Sequence, residues 1–284
     1  MKKFYWYIIC GGKLYLPQGK VPCADQCPCT PEHGTIVFGL GIIDGIPARA
    51  VACNSISEDL VPLRDAFELL PEKLYKPALA AAEKVAWDLN SQHCPVCGGR
   101  MDPAGFSSKR CCSCGKQQFT VIAPAAIVLI KHKHKALLVR AKTFKGSHYG
   151  LVAGFVELGE SVEQCAIREA YEEAGLKIKN LKYFGSQIWP YPNSLMIGFT
   201  AEAVNTNISL IDSELVDAQF FSIDNLPELP RKDSLARKLI DAWILEETTA
   251  REEQAAAKLA AEQAAQGPSF SDLDAFKAAA IFNK

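Results

Sequence analysis

Apolar positions along the chain follow two periods, and each period marks a different kind of element. After Lys2 and Lys3 the run Phe4-Tyr5-Trp6-Tyr7-Ile8-Ile9-Cys10 stops at Gly11-Gly12. No small-residue cleavage pattern follows it, so a β-strand is expected here rather than a secretory leader. Short apolar stretches then alternate with turn formers (Pro22, Pro28, Pro31, Gly39, Gly41, Gly45, Pro47), which predicts a small β-rich domain over residues 1–76. From Pro77 to Asn90 the period changes: Ala78, Leu79, Ala82, Val85, Ala86 and Leu89 recur at helical spacing. Proline suits a first helical turn, so a connecting helix over 77–93 is expected, starting at Pro77.

Further on, Ala125–Ile130 and Ala136–Arg140 flank Lys131-His132-Lys133-His134-Lys135. These read as two strands joined by a charged, solvated tip. A helix near 161–174, more strands through Ser222 and a long helix from about Ser234 complete an alternating pattern, which predicts an α/β sandwich over 120–246. The segment Ala250–Gln266 is rich in Ala and Glu, and Gly267-Pro268-Ser269 breaks any helix, so 247–284 is expected as a helical extension or a disordered tail.

Composition narrows this picture in two ways. A formal net charge of −1 supplies no broad basic field, so any nucleic-acid contact must be local. The longest apolar run, Ile122–Ile130, is interrupted by Pro124 and falls far short of the roughly 20 residues that cross a bilayer, so no membrane span is expected. Eleven cysteines in a chain without a leader pattern point to a reducing, cytoplasmic setting.

Four of those cysteines carry chemistry. Cys94-Pro-Val-Cys97 and Cys111-Cys-Ser-Cys114 are two CxxC pairs thirteen residues apart, a zinc-ribbon spacing over 94–119. A closed shell of four thiolates leaves zinc no open position, so its role is structural. Cys112 is the alternative to Cys111, but only Cys111 keeps the two-residue gap. Cys23, Cys27 and Cys29, with His33, are too irregularly spaced for a second site and are expected to be reduced and unligated.

The strongest signal lies at 154–176. Gly154, Glu160, Arg168-Glu169, Glu172-Glu173 and Gly175 stand at fixed offsets whose chance frequency is about 10⁻⁸ per starting position. Ser161 with Gln164 makes a capping-box pattern and Gly175 suits a left-handed C-cap, so a helix is expected over 162–174. Glu169, Glu172 and Glu173 then share one face, where their mutual repulsion is relieved by a divalent cation bridging to phosphate oxygens. Arg168 is placed to orient a carboxylate. The other reading of these glutamates is a solvated acidic face.

This series resembles the Nudix box, and the resemblance, covering about 90–245, implies a Nudix α/β/α sandwich with a mixed sheet. It implies Mg²⁺ or Mn²⁺ held by Glu169, Glu172 and Glu173 with the carbonyl of Ala153. Glu173 would orient or deprotonate the attacking water, and Glu214 of Asp212-Ser213-Glu214 would complete the site unless it is an ordinary surface glutamate. Ser186-Gln187-Ile188-Trp189-Pro190-Tyr191-Pro192-Asn193-Ser194 is similar to the signature of the NADH pyrophosphatase branch, with Ile188 for proline and Tyr191 for phenylalanine. A zinc ribbon just before the catalytic domain is a feature of that branch too.

The same resemblance assigns Phe155 to stacking on nicotinamide, Phe119 to a place near that ring, and Gln187, Trp189, Tyr191, Ser194 and Ala236 to the substrate. For the two phenylalanines, ordinary packing is the alternative. The implied reaction is hydrolysis of NADH or NAD⁺ to nicotinamide mononucleotide and AMP, by a homodimer. Two other functions stay open: removal of an NAD cap from RNA, and a non-enzymatic nucleotide sensor. Intact carboxylates speak against the sensor.

Overall fold

The computed structural model describes residues 2–32, 35–105, 107–144, 146–191, 193–210 and 214–265. His33, Pro192, Asp212, Ser213 and the 267–269 break lie outside them. Strands β1 (Phe4–Cys10), β2 (Lys13–Tyr15), β3 (Cys23–Ala24), β4 (Phe38–Ile43), β5 (Ile46–Ala52) and β6 (Leu60–Pro62) form one sheet, ordered β4-β5-β1-β2-β6 with β3 on β1. In β1, Tyr7 and Ile9 face a core shared with the helix that follows, while Trp6, Ile8 and Cys10 face a second cluster with Val51 and Cys53. Burial on both faces explains why β1 is a continuous apolar run rather than an alternating one.

Two helices follow, α1 (Ala66–Leu69) and α2 (Glu72–Asn90). The expectation that the second begins at Pro77 is corrected: it starts five residues earlier and carries Pro77 inside. Proline there removes the bond to the Lys73 carbonyl and crowds that carbonyl with its ring. Burial of Tyr75, Ala78, Leu79, Ala81 and Val85 against the sheet more than offsets that loss.

The cysteine segment is a three-stranded antiparallel sheet of β7 (Met101–Pro103), β8 (Ser108–Cys111) and β9 (Gln117–Phe119). It docks on α2 through a buried ion pair. Lys109 Nζ lies 2.5 Å from Asp88 Oδ1 with both side chains 1% exposed, and it also donates to the Asp88 carbonyl at 2.9 Å. The second carboxylate oxygen of Asp88 accepts from the Ile36 amide at 2.7 Å. Ribbon, helix and N-terminal sheet thus meet at one aspartate.

The remaining elements are β10 (Ala123–His132), β11 (Lys135–Ala141), β12 (Val152–Phe155), α3 (Val162–Ala174), β13 (Ile178–Trp189), β14 (Ser194–Ala203), β15 (Leu215–Ser222) and α4 (Leu235–Ala265). Their sheet runs β13-β14-β10-β11-β15, with β12 on β10. It is mixed: β10 pairs parallel to β14 and antiparallel to β11 and β12. The period-2 alternation of the central strand sorts its two faces. Ala126, Val128 and Ile130 pack with Cys165, Ala166 and Ala170 of α3, whereas Ile127 and Leu129 pack with Leu235, Leu239, Ile240 and Trp243 of α4. That is the expected α/β/α sandwich.

Helix α4 continues without a break through the Ala/Glu-rich segment to Ala265. Arg251 makes two bonds to Asp224, at 2.7 and 2.8 Å, and Lys131 pairs with Glu246. His134 Nδ1 sits 2.9 Å from Glu247 Oε2, so the charged hairpin tip is solvated as expected but also tied to α4. No helix among the described residues is long and apolar enough to cross a membrane.

Candidate active site and zinc-type cluster

Local sequence builds the carboxylate helix as its pattern predicts. Ser161 Oγ accepts from the Gln164 amide at 3.2 Å, Gln164 Oε1 accepts from the Ser161 amide at 2.7 Å, and Gly175 closes the helix at φ 69°. Cys165, Ala166, Ala170 and Ala174 anchor α3 against the sheet, and the helix carries Glu169 and the buried Glu173 toward the sheet with Glu172 at the edge.

Arg168 is the hub of the site. Its Nε and Nη2 donate to Glu160 at 2.9 and 3.0 Å, Nη1 donates to Glu169 at 2.7 Å and to Glu172 at 2.9 Å, and Nη2 also donates to the Phe155 carbonyl at 2.9 Å. Glu160 Oε2 accepts further from the Glu157 amide. These bonds hold the Glu160 carboxyl below the usual carboxylate range, Arg168 being the main cause. One guanidinium therefore ties the glycine-framed loop, strand β12 and helix α3 together.

Glu169 behaves oppositely. Burial pushes its carboxyl up, Arg168 pulls it down, and the charges of Glu172 and Glu214 raise it again. Glu214 therefore stands within electrostatic reach of Glu169, although it lies in a separate loop and its carbonyl accepts from the Lys142 amide at 2.9 Å. Glu173 is 5% exposed. Strand β12 brings Ala153 opposite Ile127, in the strand adjoining α3. A Cβ at Gly154 would fall 1.9 Å from Glu169 Oε1, so only glycine leaves room for that carboxylate. Carboxylates of this kind suit a hard divalent cation, although among the described residues only the four cysteines have their ligand atoms gathered within 4.8 Å.

The thiol site is definite. Cys94, Cys97, Cys111 and Cys114 have all their sulfurs within 4.8 Å of one another. Cys94–Cys114 and Cys97–Cys111 lie at 3.7 and 3.5 Å, close to the roughly 3.8 Å edge of a tetrahedron with Zn–S bonds of about 2.3 Å. Amides of Ser113 and Cys114 point at Cys111 Sγ, and these bonds, Cys114's first, lower its thiol to about 6. Thiolate is the form zinc needs. Cys112 is exposed and outside the cluster. Cys27 and Cys29 touch at 3.6 Å, yet with Cys23 they form no metal-ligand group among the described residues.

Several residues expected at the substrate are engaged by the chain itself. Gln187 Nε2 donates to the Asp233 carbonyl at 2.6 Å, and its Oε1 accepts from Lys238 at 3.1 Å. Ser194 is buried, at 2% exposure, in β14. Tyr191 packs against the N-terminal core, and Trp189 meets it edge-on at 5.3 Å. Ala236 packs at the start of α4. Phe155 and Phe119, by contrast, are 53% and 58% exposed, large apolar rings presented to solvent.

A NUDIX-domain family model matches residues 121–243. Among curated relatives, an NAD-capped RNA hydrolase of Pseudomonas aeruginosa is 44% identical over 167 residues, 58% of this chain and 60% of that protein. A protein of the same description from Haemophilus influenzae is 37% identical over 242 residues, 83% of this chain and 91% of its own. The chain belongs to the Nudix family. A NUDIX hydrolase structure from Nitrosomonas europaea aligns over 55% of this chain and 91% of that one, at 19% identity and a TM-score of 0.48.

Within the Nudix box, sequence reasoning named the carboxylates and Arg168 but gave Glu160 no task. The structure makes it the arginine's principal partner, and the signal was present as an acid eight residues before an arginine, on a different element. It also gave no hint of Asp233 and Lys238 as the frame of Gln187, because those contacts span 46 and 51 residues.

Proposed function

We propose that this Nudix protein hydrolyses the pyrophosphate of NADH or NAD⁺ to nicotinamide mononucleotide and AMP. The observation that carries this is the approach of Glu172 and Glu214 to the buried Glu169, on a helix that Arg168 pins to the preceding loop. Glu169, Glu172, Glu173 and Glu214 with the Ala153 carbonyl would hold magnesium or manganese, which would neutralise phosphate charge and make a bound water more acidic. Glu173, buried and aligned with the box, takes the proton of the attacking water. Attack at phosphorus breaks the P–O–P bridge, and the leaving phosphate departs with its nucleoside. Arg168 Nη1 bridges Glu169 and Glu172 and screens their mutual repulsion. Cys94, Cys97, Cys111 and Cys114 would hold a structural zinc, as their clustered sulfurs support.

The resemblance of 186–194 to the signature loop and the exposed Phe155 support a nicotinamide end here. Flat rings on a proline-stiffened segment suit a nicotinamide ring, and Phe155 follows the glycine that faces Glu169. NAD-capped RNA offers the same bond at the end of a polymer, and the names of the relatives favour it as a second substrate. A cytoplasmic homodimer is the setting we infer for both. A sensor role is disfavoured because every box carboxylate is in place.

The test is a panel of NADH, NAD⁺, ADP-ribose and NAD-capped RNA, assayed with Mg²⁺ and Mn²⁺ on the parent and on Phe155→Ala. ADP-ribose keeps adenosine and pyrophosphate but lacks nicotinamide. Stacking is worth about 1–3 kcal/mol on alanine substitution, so kcat/KM for NADH is expected to fall about 5- to 150-fold with ADP-ribose little changed. Equal losses on both would reduce Phe155 to loop packing.

A further inference from the structure

The aromatic loop of the proposed nicotinamide site is not held by the catalytic domain alone. Arg64, in the turn between β6 and α1, places its guanidinium 4.4 Å from the Tyr191 ring centre and 5.3 Å from that of Trp189. The two rings meet at 75°, so a single planar cation spans a T-shaped pair. The backbone of the same residue is tied in as well. Its carbonyl accepts from Arg231 Nη2 at 2.8 Å, while Arg231 Nη1 reaches Asp65 at 3.2 Å. Two residues on, Asp233 receives the Tyr75 hydroxyl on its carboxylate and the Gln187 amide on its carbonyl.

These contacts form one circuit. It runs from Arg64 to the rings of 189 and 191, back along β13 to Gln187, across to Asp233, and through Tyr75 and Arg231 to the N-terminal domain again. Tyr191 completes it by packing on the N-terminal core. A loop tip with two large rings has many rotamers open to it, and a planar cation against both removes most of that freedom before any ligand arrives.

We propose that Arg64 is a positioning residue for substrate selection, through which the N-terminal domain sets the Trp189–Tyr191 pair for the nicotinamide half of the substrate. This rests on the reading of 186–194 as the nicotinamide loop. It gives the N-terminal domain a task that its sequence does not reveal, and it separates selection from chemistry: the box carboxylates lie outside the circuit.

Arg64 is exposed, so Arg64→Ala is expected to fold. Its kcat/KM for NADH should fall about 3- to 5-fold, the size of an exposed cation–π contact, through KM rather than kcat. ADP-ribose should change less than twofold. Arg64→Lys, which keeps the charge but not the plane, should recover part of the loss. In the double variant Arg64→Ala/Trp189→Ala the two effects should fall short of additive, since both remove the same contact. Unchanged NADH kinetics in Arg64→Ala, or equal losses on both substrates, overturns the inference and leaves the proposed reaction standing. A parent enzyme that cuts ADP-ribose but not NADH overturns both.

Discussion

The two metal-type sites of this chain are built on opposite principles. The thiol cluster sits in a three-stranded sheet whose own buried core is Cys94, Met101 and Cys111, so two of its three core residues are themselves donors. The carboxylate site sits on α3, whose Cys165, Ala166, Ala170 and Ala174 are anchored in a core that extends through the central sheet. In the first, donors and core are nearly the same atoms. In the second they are different residues of one helix: Glu173 is buried beside Ala170 and Ala174, but the core they belong to runs on through the sheet. A metal in the ribbon should therefore act on folding, and a metal at the box on chemistry.

Removing a ribbon donor is the sharpest way to break that contrast. Structural zinc in small finger peptides is worth about 10–16 kcal/mol, far more than three buried residues supply by themselves. Cys97→Ser is expected to abolish stoichiometric zinc and lower thermal stability, with loss of activity following from misfolding. Full zinc content in the purified variant, by metal analysis, would mean that the ligands are wrongly chosen.

Next in size is the attachment of the ribbon to the rest. Lys109→Met keeps the bulk of the stem but leaves Asp88 buried without its cation, a change that costs about 3–5 kcal/mol when a buried pair is broken on one side. A lower unfolding midpoint with zinc still bound is the expected result. Unchanged stability would show that Asp88 is satisfied by the Ile36 amide and Gln92 alone.

How far each site could be read from the sequence follows the same division. The four cysteines were legible because their spacing is the site, and the box because one helix carries three of its carboxylates at i, i+3 and i+4. Capping by Ser161, Gln164 and Gly175 was likewise local and is present as expected. What escaped is non-local. The Lys109–Asp88 pair spans 21 residues and joins a ribbon strand to a helix, and nothing in the neighbourhood of either residue announces it. The start of α2 was misplaced because proline is a weak signal beside the burial of Tyr75, which depends on a sheet formed by residues far upstream.

Glu173→Gln tests the other half of the comparison. The amide preserves volume but removes a donor charge and a proton acceptor, so turnover is expected to fall by at least about 10²-fold with zinc content and thermal stability unchanged. Activity is read on NADH with saturating Mg²⁺, and stability on the same preparation. Near-normal turnover would remove Glu173 from the proton-transfer role.

The smallest effect is expected at Glu172, and its size tells whether the face is graded or uniform. Its side chain is half exposed and reaches Arg168 at 2.9 Å as an i, i+4 pair. Such exposed helix pairs contribute about 0.3–0.5 kcal/mol, so Glu172→Gln should leave stability within error. Arg168 keeps Glu160 and Glu169, so the hub survives the change. Turnover should fall on the order of tenfold, less than for Glu173, because a solvent-facing ligand is more easily replaced by water than a buried one. A rise in the Mg²⁺ concentration needed for half-maximal rate should accompany it. A loss as deep as that of Glu173→Gln, with no change in metal requirement, would assign the proton to Glu172 and make Glu173 the assisting ligand.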